Sequence, residues 1–391
     1  MIKVESKKKH IIIILIFLIS TIGIGLYINR DYFQSRFFAP RSSSVEKGIS
    51  VQELQSNEVD TQDVPNIEIV AENLSIPWDI AFLPDGGMLV TERPGTLLKI
   101  DTDTHIVQQI EGVHHEGEGG LLGIALDPDF ADNNYIYLYL TSTTQSGIEN
   151  RVERYSFTNE RLSNQTVIIE GIKGARYHDG GRIDFGPDGK LYITTGDAQD
   201  TSLAQNTSSL NGKILRINAD GSIPTDNPFG NAVYSYGHRN PQGLAWDSEG
   251  QLFSSEHGPS GAQTGNDEIN RIVKGENYGW PTIKGTQTAE GMQVPLYESG
   301  SSDTWAPGGL VYYHGSLFVP GLRGESLYEA RIDQGNISSF IAHFSSEYGR
   351  LRTIRIGPDG FFYITTSNQD GRGKPQENDD RIIKVNPEIF N

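Results

Sequence analysis

The chain has 391 residues with 44 glycines, 18 prolines, 17 tyrosines and 16 phenylalanines, but 3 methionines and no cysteine; this balance suits many short strands joined by tight turns better than a helical bundle. The absence of cysteine excludes disulfides, thiolate metal sites, cysteine nucleophiles and lipoprotein acylation. A net charge of −18 argues against nucleic acid as a partner, and an acidic surface suits an extracytoplasmic domain that binds Ca2+.

In chain order, Lys7, Lys8 and Lys9 precede a largely apolar run from Ile11 to Ile28. As a helix that run spans about 27 Å, close to the bilayer core. The basic flank keeps the N-terminus inside and sends the remainder across. Residues 1–30 are therefore expected to form a cytoplasmic stub and a transmembrane or signal-anchor helix. A cleaved signal peptide, leaving a secreted protein, is the alternative, but no A-x-A-like site follows the run. Residues 31–65, polar and acidic from 41 onward, read as a flexible linker.

From residue 66 to 391 one pattern recurs. "IPWDIAFLPDGGMLVTERPGTLLKI" (76–100), "GGLLGIALDPDFADNNYIYLYLTS" (119–142) and "GGRIDFGPDGKLYITTGD" (180–197) are its first three units. "PQGLAWDSEGQLFSSEHGP" (241–259), "GGLVYYHGSLFVPGLRGESLYEARI" (308–332) and "LRTIRIGPDGFFYITTSNQDGRG" (351–373) are the last three. Each reads as strand, tight turn, strand, variable loop and third strand, and Asp-Gly between alternating apolar runs is a strong hairpin signal. Six such units predict an all-β fold, a six-bladed β-propeller. Two β-sandwiches are the alternative, but no linker divides the repeats. "NIEIVAENL" (66–74) is expected to give the last blade its outer strand and close the ring.

Loops at one end of a propeller converge on its axis, so residues flanking each hairpin can share one site. His178, before the third unit's first strand, is the general-base candidate, because imidazole can accept a proton near neutral pH. Asp197, after the second strand, is the carboxylate that would fix its tautomer. His114, His115, His238 and His257 also lie near loops; taken singly, each reads as structural. Arg239, Asn240 and Gln242 precede the fourth unit's first strand, Arg350 and Arg352 the sixth's, and Arg323 follows a strand of the fifth. Guanidinium groups at corresponding mouths of an acidic protein suit an anionic ligand. Asp267 and Glu268, in a glycine-containing loop rich in oxygen ligands, point to Ca2+ rather than Zn2+. Glu118 sits at another mouth.

These motifs together resemble the soluble pyrroloquinoline quinone (PQQ)-dependent aldose dehydrogenases, the glucose/sorbosone dehydrogenase family, from about 68 to 387. The specific pieces are "EGGLLGIALDPDF", "HDGGRIDFGPDGKLYITTGD", "YGHRNPQGLAWD", "EHGPSG", "NDEIN", "NYGWP" and "RLRTIRIGPDG", in that order. The resemblance implies a six-bladed propeller that oxidises aldoses at C1 to the lactone. His178 is then the base. Arg239 and Asn240 contact the cofactor, and Arg323, Arg350 and Arg352 hold the quinone's carboxylates. Gly258 and Pro259 offer carbonyls to a Ca2+ that bridges to the quinone. Glu268 and Tyr278, with Asp267, resemble a structural calcium site. Two positions depart from the pattern: Glu118 stands near the substrate where relatives commonly have Gln, and Arg323 where they commonly have Lys. The implied partners are an aldose, an electron acceptor the sequence does not name, and the membrane through the N-terminal helix. A calcium-dependent lactonase and a non-enzymatic binding propeller are the rival readings, and neither needs this arginine set.

Overall fold

The computed structural model describes residues 45–56, 66–101, 104–259 and 265–390. The apolar run 11–28 and most of the expected linker lie outside them. Among the described residues no helix is long and apolar enough to cross a membrane.

The described residues form six antiparallel sheets in sequence order, the blades of a propeller. Blade 1 comprises Pro77–Phe82, Met88–Glu92, Thr96–Ile100 and Thr104–Gln109, and blade 2 Leu121–Leu126, Tyr135–Thr144, Gly147–Thr158 and Arg161–Lys173. Blade 3 comprises Ile183–Phe185, Leu191–Thr195, Lys213–Ile217 and Val233–Tyr236, and blade 4 Pro241–Trp246, Leu252–Glu256, Glu268–Ile272 and Tyr297–Glu298. Blade 5 comprises Val311–Tyr313, Ser316–Gly321, Ser326–Asp333 and Asn336–His343. Blade 6 takes Leu351–Ile356, Phe362–Thr366 and Ile382–Val385, and Ile67–Ala71 pairs antiparallel with the last of these, so the ring closes as expected.

The turn aspartates explain why these hairpins form. In blade 3, Asp188 Oδ1 accepts from Lys190 N at 3.1 Å, while Oδ2 accepts from the Tyr192 hydroxyl at 3.1 Å and from Arg216 on the third strand at 2.8 Å. Blade 6 repeats the device with Asp359, Phe361 N, the Tyr363 hydroxyl and Lys384. One carboxylate thus closes the turn and ties the next strand to it.

Each sheet is covered on both faces by its neighbours, so central strands such as Lys213–Ile217 are buried along their length rather than in alternation. The apolar core is accordingly a ring of interfaces. Leu89, Leu97, Leu121 and Leu138 fill the one between blades 1 and 2, and Phe318, Leu327, Ile354 and Phe362 the one between 5 and 6. Ile80, Val90, Tyr363 and Ile382 close blade 6 onto blade 1. At the axis, the buried Asp79 of blade 1 meets Arg182 of blade 3 at 2.5 Å and Arg355 of blade 6 at 2.9 Å.

One part of the chain departs from the linker reading. Glu46–Lys47 adds to blade 5 as a fifth, parallel strand beside Ile341 and Ala342. Gly48 N donates to Ala342 O at 2.7 Å, and Ile49 N to His343 Nδ1 at 3.0 Å. A short helix, Val51–Ser56, follows. Ser50 and Glu53 cap it reciprocally: Ser50 N donates to Glu53 Oε2 at 3.0 Å and Glu53 N to Ser50 Oγ at 3.3 Å. This S-x-x-E capping box is a signal the composition-based linker reading passes over. Ile49, Val51 and Leu54 pack on the interface of blades 5 and 6.

Gly48 is required by close approach, since a Cβ there would lie 2.2 Å from His343 Nδ1. Gly48→Ala should lift this strap locally. Hydrogen exchange should show amides 48, 49 and 344 losing protection while blades 1 to 4 keep theirs; unchanged protection would mean the strap does not depend on this contact.

Candidate active site

The loops at one mouth of the axis bring the predicted base and carboxylate together. His178 Nδ1 lies 2.7 Å from Asp197 Oδ1, and Asp197 Oδ2 accepts from Trp280 Nε1 at 2.8 Å. Burial works to raise the Asp197 carboxyl, but the hydrogen bonds from His178 and Trp280 hold it below its ordinary value. An ionised Asp197 requires the proton on His178 Nδ1, which leaves Nε2 with its lone pair. Arg239 Nη2 donates to that nitrogen at 2.8 Å.

Local backbone geometry aims the ring. His178 has φ +66°, in the left-handed region that a histidine seldom occupies. Gly196, packed under it, has no room for a Cβ, which would fall 1.9 Å from His178 O. Glu118 Oε2 accepts from His178 N at 2.9 Å and from Asn240 Nδ2 at 3.3 Å, while Oε1 lies 3.4 Å from Arg372. Burial opposes the Glu118 charge, but Arg372, His178 and His257 hold its carboxyl well below the usual range. Glu118 thus clamps the peptide of the base.

The arginines reach the same mouth from blades 4, 5 and 6. Arg350 pairs with Asp370 at 2.8 Å and donates to Leu322 O at 3.0 Å. Arg352 donates to Gln242 Oε1 at 2.8 Å, and its guanidinium lies 5.6 Å from the Trp78 ring centre. Arg352 Nε is buried without a hydrogen-bond partner. Burial, and then the like charge of Arg93, push the Arg352 guanidinium down to about 9. Arg239 donates to His257 O at 3.2 Å and lies over Trp280. Asn240 Oδ1 accepts from Gly180 N at 3.0 Å and Gln242 Nε2 at 3.1 Å, which holds the blade 3 and blade 4 loops in register. Arg323 is buried in the blade 5 exit loop, its amide donating to Trp305 O at 2.9 Å. Arg93, Asp370, Arg372 and Trp280 also stand here. Arg93, Asp370 and Arg372 lie at or just beyond the exit of a second strand, and Trp280 lies in the loop after the third strand of blade 4.

Around 254–280 the structure divides the expected calcium residues. Residues 260–264 of this loop lie outside the described residues. Asp267 is a structural pin: Oδ2 accepts from Thr304 Oγ1 and Trp305 N at 2.6 Å and Ala306 N at 2.8 Å, and Oδ1 from Gly258 N at 2.8 Å. Four donors thus hold Asp267 in place, three of them on Oδ2 and one on Oδ1. The Tyr278 hydroxyl donates to Arg271 O at 2.6 Å and its ring stacks on His238, leaving only its carbonyl for a cation. His238 itself bridges Glu256 and Ser235, a structural histidine as read. Glu268 faces Glu256 on one side and Glu298 on the other. Burial, and then Glu256, raise its carboxyl to about 8, and neighbouring Asn270 Oδ1 is buried without a partner. These hard oxygens suit a cation. No three carboxylate or imidazole side chains converge into one ligand group among the described residues, so backbone carbonyls would have to complete such a site.

A family model for glucose/sorbosone dehydrogenase matches residues 74–376. The chain is 30% identical over 357 residues to an aldose sugar dehydrogenase of Escherichia coli K12, covering 82% of this chain and 93% of the relative. It is 35% identical over 272 residues to quinoprotein glucose dehydrogenase B of Acinetobacter calcoaceticus, covering 60% of this chain and 56% of the relative. The PQQ-bound structure of an aldose sugar dehydrogenase from Streptomyces coelicolor superimposes with a TM-score of 0.76 at 41% identity, covering 81% of this chain and 97% of that one.

The Asp267 pin is testable by itself. Asp267→Ala leaves the buried donors Gly258 N, Trp305 N and the Thr304 hydroxyl unpaired, each at about 1–3 kcal/mol. The thermal midpoint should fall by the same amount with or without added Ca2+. A loss seen only in the presence of Ca2+ would instead make Asp267 a ligand.

Proposed function

Because the chain belongs to the glucose/sorbosone dehydrogenase family, we propose that it oxidises the C1 hydroxyl of an aldose to the lactone, with PQQ as electron acceptor and Ca2+ at the cofactor. One observation carries this reading: a neutral imidazole nitrogen faces a buried surplus of guanidinium groups. Arg93, Arg239, Arg350 and Arg352 are all buried, and Arg93 and Arg352 each retain a buried N–H without an acceptor. A flat polycarboxylate such as PQQ fits that donor set. Arg239, Asn240, Gln242, Arg323, Arg350 and Arg352 would hold it, Gly258 and Pro259 would offer carbonyls to its Ca2+, and Glu268 with the Tyr278 carbonyl would hold a second, structural Ca2+. When bound, the quinone, polarised by Ca2+, supplies the two-electron acceptor for hydride from C1.

The chain itself handles the proton. Asp197 keeps hydrogen on His178 Nδ1, so Nε2 is the basic atom. A C1 hydroxyl takes the place of the Arg239 donor there and passes its proton to Nε2. The resulting imidazolium is stabilised by Asp197, which Trp280 holds in place. Arg239, displaced from the imidazole, would donate to the bound cofactor instead. Glu118 keeps the His178 backbone in its left-handed turn throughout and borders the sugar's approach with Arg372. Residues 11–28 tether the enzyme to a membrane, with the propeller extracytoplasmic.

Binding and chemistry should separate on mutation. Arg350→Ala with Arg352→Ala should weaken PQQ binding, at about 1.5–3 kcal/mol per charged hydrogen bond lost, and excess cofactor should restore much of the turnover. His178→Ala should bind PQQ like the parent, yet lose about 100- to 10,000-fold in saturated turnover that no cofactor excess restores. Chelation should weaken the same titration. Full turnover by His178→Ala would place the base elsewhere. A mature N-terminus beyond residue 30 would replace the tethered form with a secreted one.

A further inference from the structure

Arg93 directly follows Met88–Glu92, the second strand of blade 1. The corresponding exits carry Asp197 in blade 3, His257 in blade 4 and Arg323 in blade 5, all at the axial mouth. The Arg93 backbone is fixed from both sides: its N donates to Ile76 O at 3.1 Å and its carbonyl accepts from Leu121 N at 3.0 Å. Its side chain is 2% exposed. Nε donates to His115 Nε2 at 3.3 Å, and Nη1 is buried with no hydrogen-bond partner. Burial, and then Arg93 and His114, push the His115 imidazole down to about 4, so it is a neutral acceptor and not a counterion. Asp370 and Glu118 lie near enough to favour the Arg93 charge, but Arg350 and Arg372 oppose it, and the two carboxylates are already engaged with those arginines. A buried cation with an orphaned N–H beside other cations destabilises the fold that holds it. Its place is explained by something that binds there.

We infer that Arg93 is a cofactor-binding residue: its guanidinium receives a carboxylate of the quinone from the blade 1 side of the axis, completing the cradle that Arg350 and Arg352 form from blade 6. The inference rests on the reading of PQQ as cofactor. It makes Arg93 a ligand-binding group whose contribution to the free protein is unfavourable, and this separates it from a structural arginine.

The test compares the full chain with Arg93→Gln and Arg93→Lys, measuring PQQ affinity in the presence of Ca2+ by tryptophan fluorescence titration and thermal midpoints with and without PQQ. Arg93→Gln should melt at or above the parent temperature when free of cofactor, yet bind PQQ about 10- to 100-fold more weakly, the span of one lost charge-assisted hydrogen bond. Its PQQ-induced rise in midpoint should shrink accordingly, and Arg93→Lys should recover part of the affinity. If the parent binds PQQ and Arg93→Gln binds it equally well, the inference is wrong. A lowered midpoint of cofactor-free Arg93→Gln with unchanged affinity would make Arg93 a structural partner of His115. A parent that fails to bind PQQ overturns the cofactor reading, and this inference with it.

Discussion

The propeller hangs on the carboxylate of Asp79. It is fully buried on the first strand of blade 1 and accepts from Arg355 of blade 6 through two nitrogens, at 2.9 and 3.0 Å. Arg182 of blade 3 approaches it at 2.5 Å, and Ile124 N of blade 2 donates to it at 3.3 Å. Burial alone would raise this carboxyl, but Arg182 and Arg355 hold it low and ionised. Four blades are thereby registered against one another at the axis, where apolar packing cannot do it because six converging strands leave their polar edges there. A buried charge removed from such a network leaves its partners uncompensated, which is far costlier than the pair's own net contribution.

The functional mouth is built on this pin. Arg182 lies over one side of the Trp78 ring at 4.4 Å, and Arg352 also faces that ring, at 5.6 Å. Arg182 Nε also donates to Gln242 O at 3.0 Å, and Gln242 in turn accepts from Arg352. The floor of the site is thus a relay of stacked and hydrogen-bonded cations, neutralised from below by Asp79 and left in surplus above. That polarity suits a polyanion at the top, with the His178 ring held beside it by Asp197.

The same surplus sets stability against function. Arg93 and Arg352 hold buried N–H groups without acceptors, an arrangement that a protein selected only for stability would replace. The strap of residues 45–56 lies on the opposite side of this balance: it adds a strand, a capped helix and apolar contacts to blades 5 and 6 without touching the mouth.

The sequence by itself determined the blade count, the ring closure by residues 66–74 and the pairing of His178 with Asp197. All three follow from local signals: period-two strands, Asp-Gly turns whose aspartate fastens its own hairpin, and two residues flanking one hairpin. It also marked Arg239, Arg350 and Arg352, since each lies before or at the start of a first strand. Only the tertiary structure decided what those groups do to each other. Asp267 reads as a calcium ligand from its acidic loop, and its oxygens also meet Thr304, Trp305 and Ala306, brought to it from a distant segment. Glu118 reads as a substrate contact, and the left-handed turn at His178 also directs an N–H at it. Arg93 carries no motif, and its significance arises from the absence of a carboxylate partner, which depends on every chain segment that packs around it. Local signals fix hairpins because their contacts are close in sequence; charge compensation at an axis is a sum over six blades.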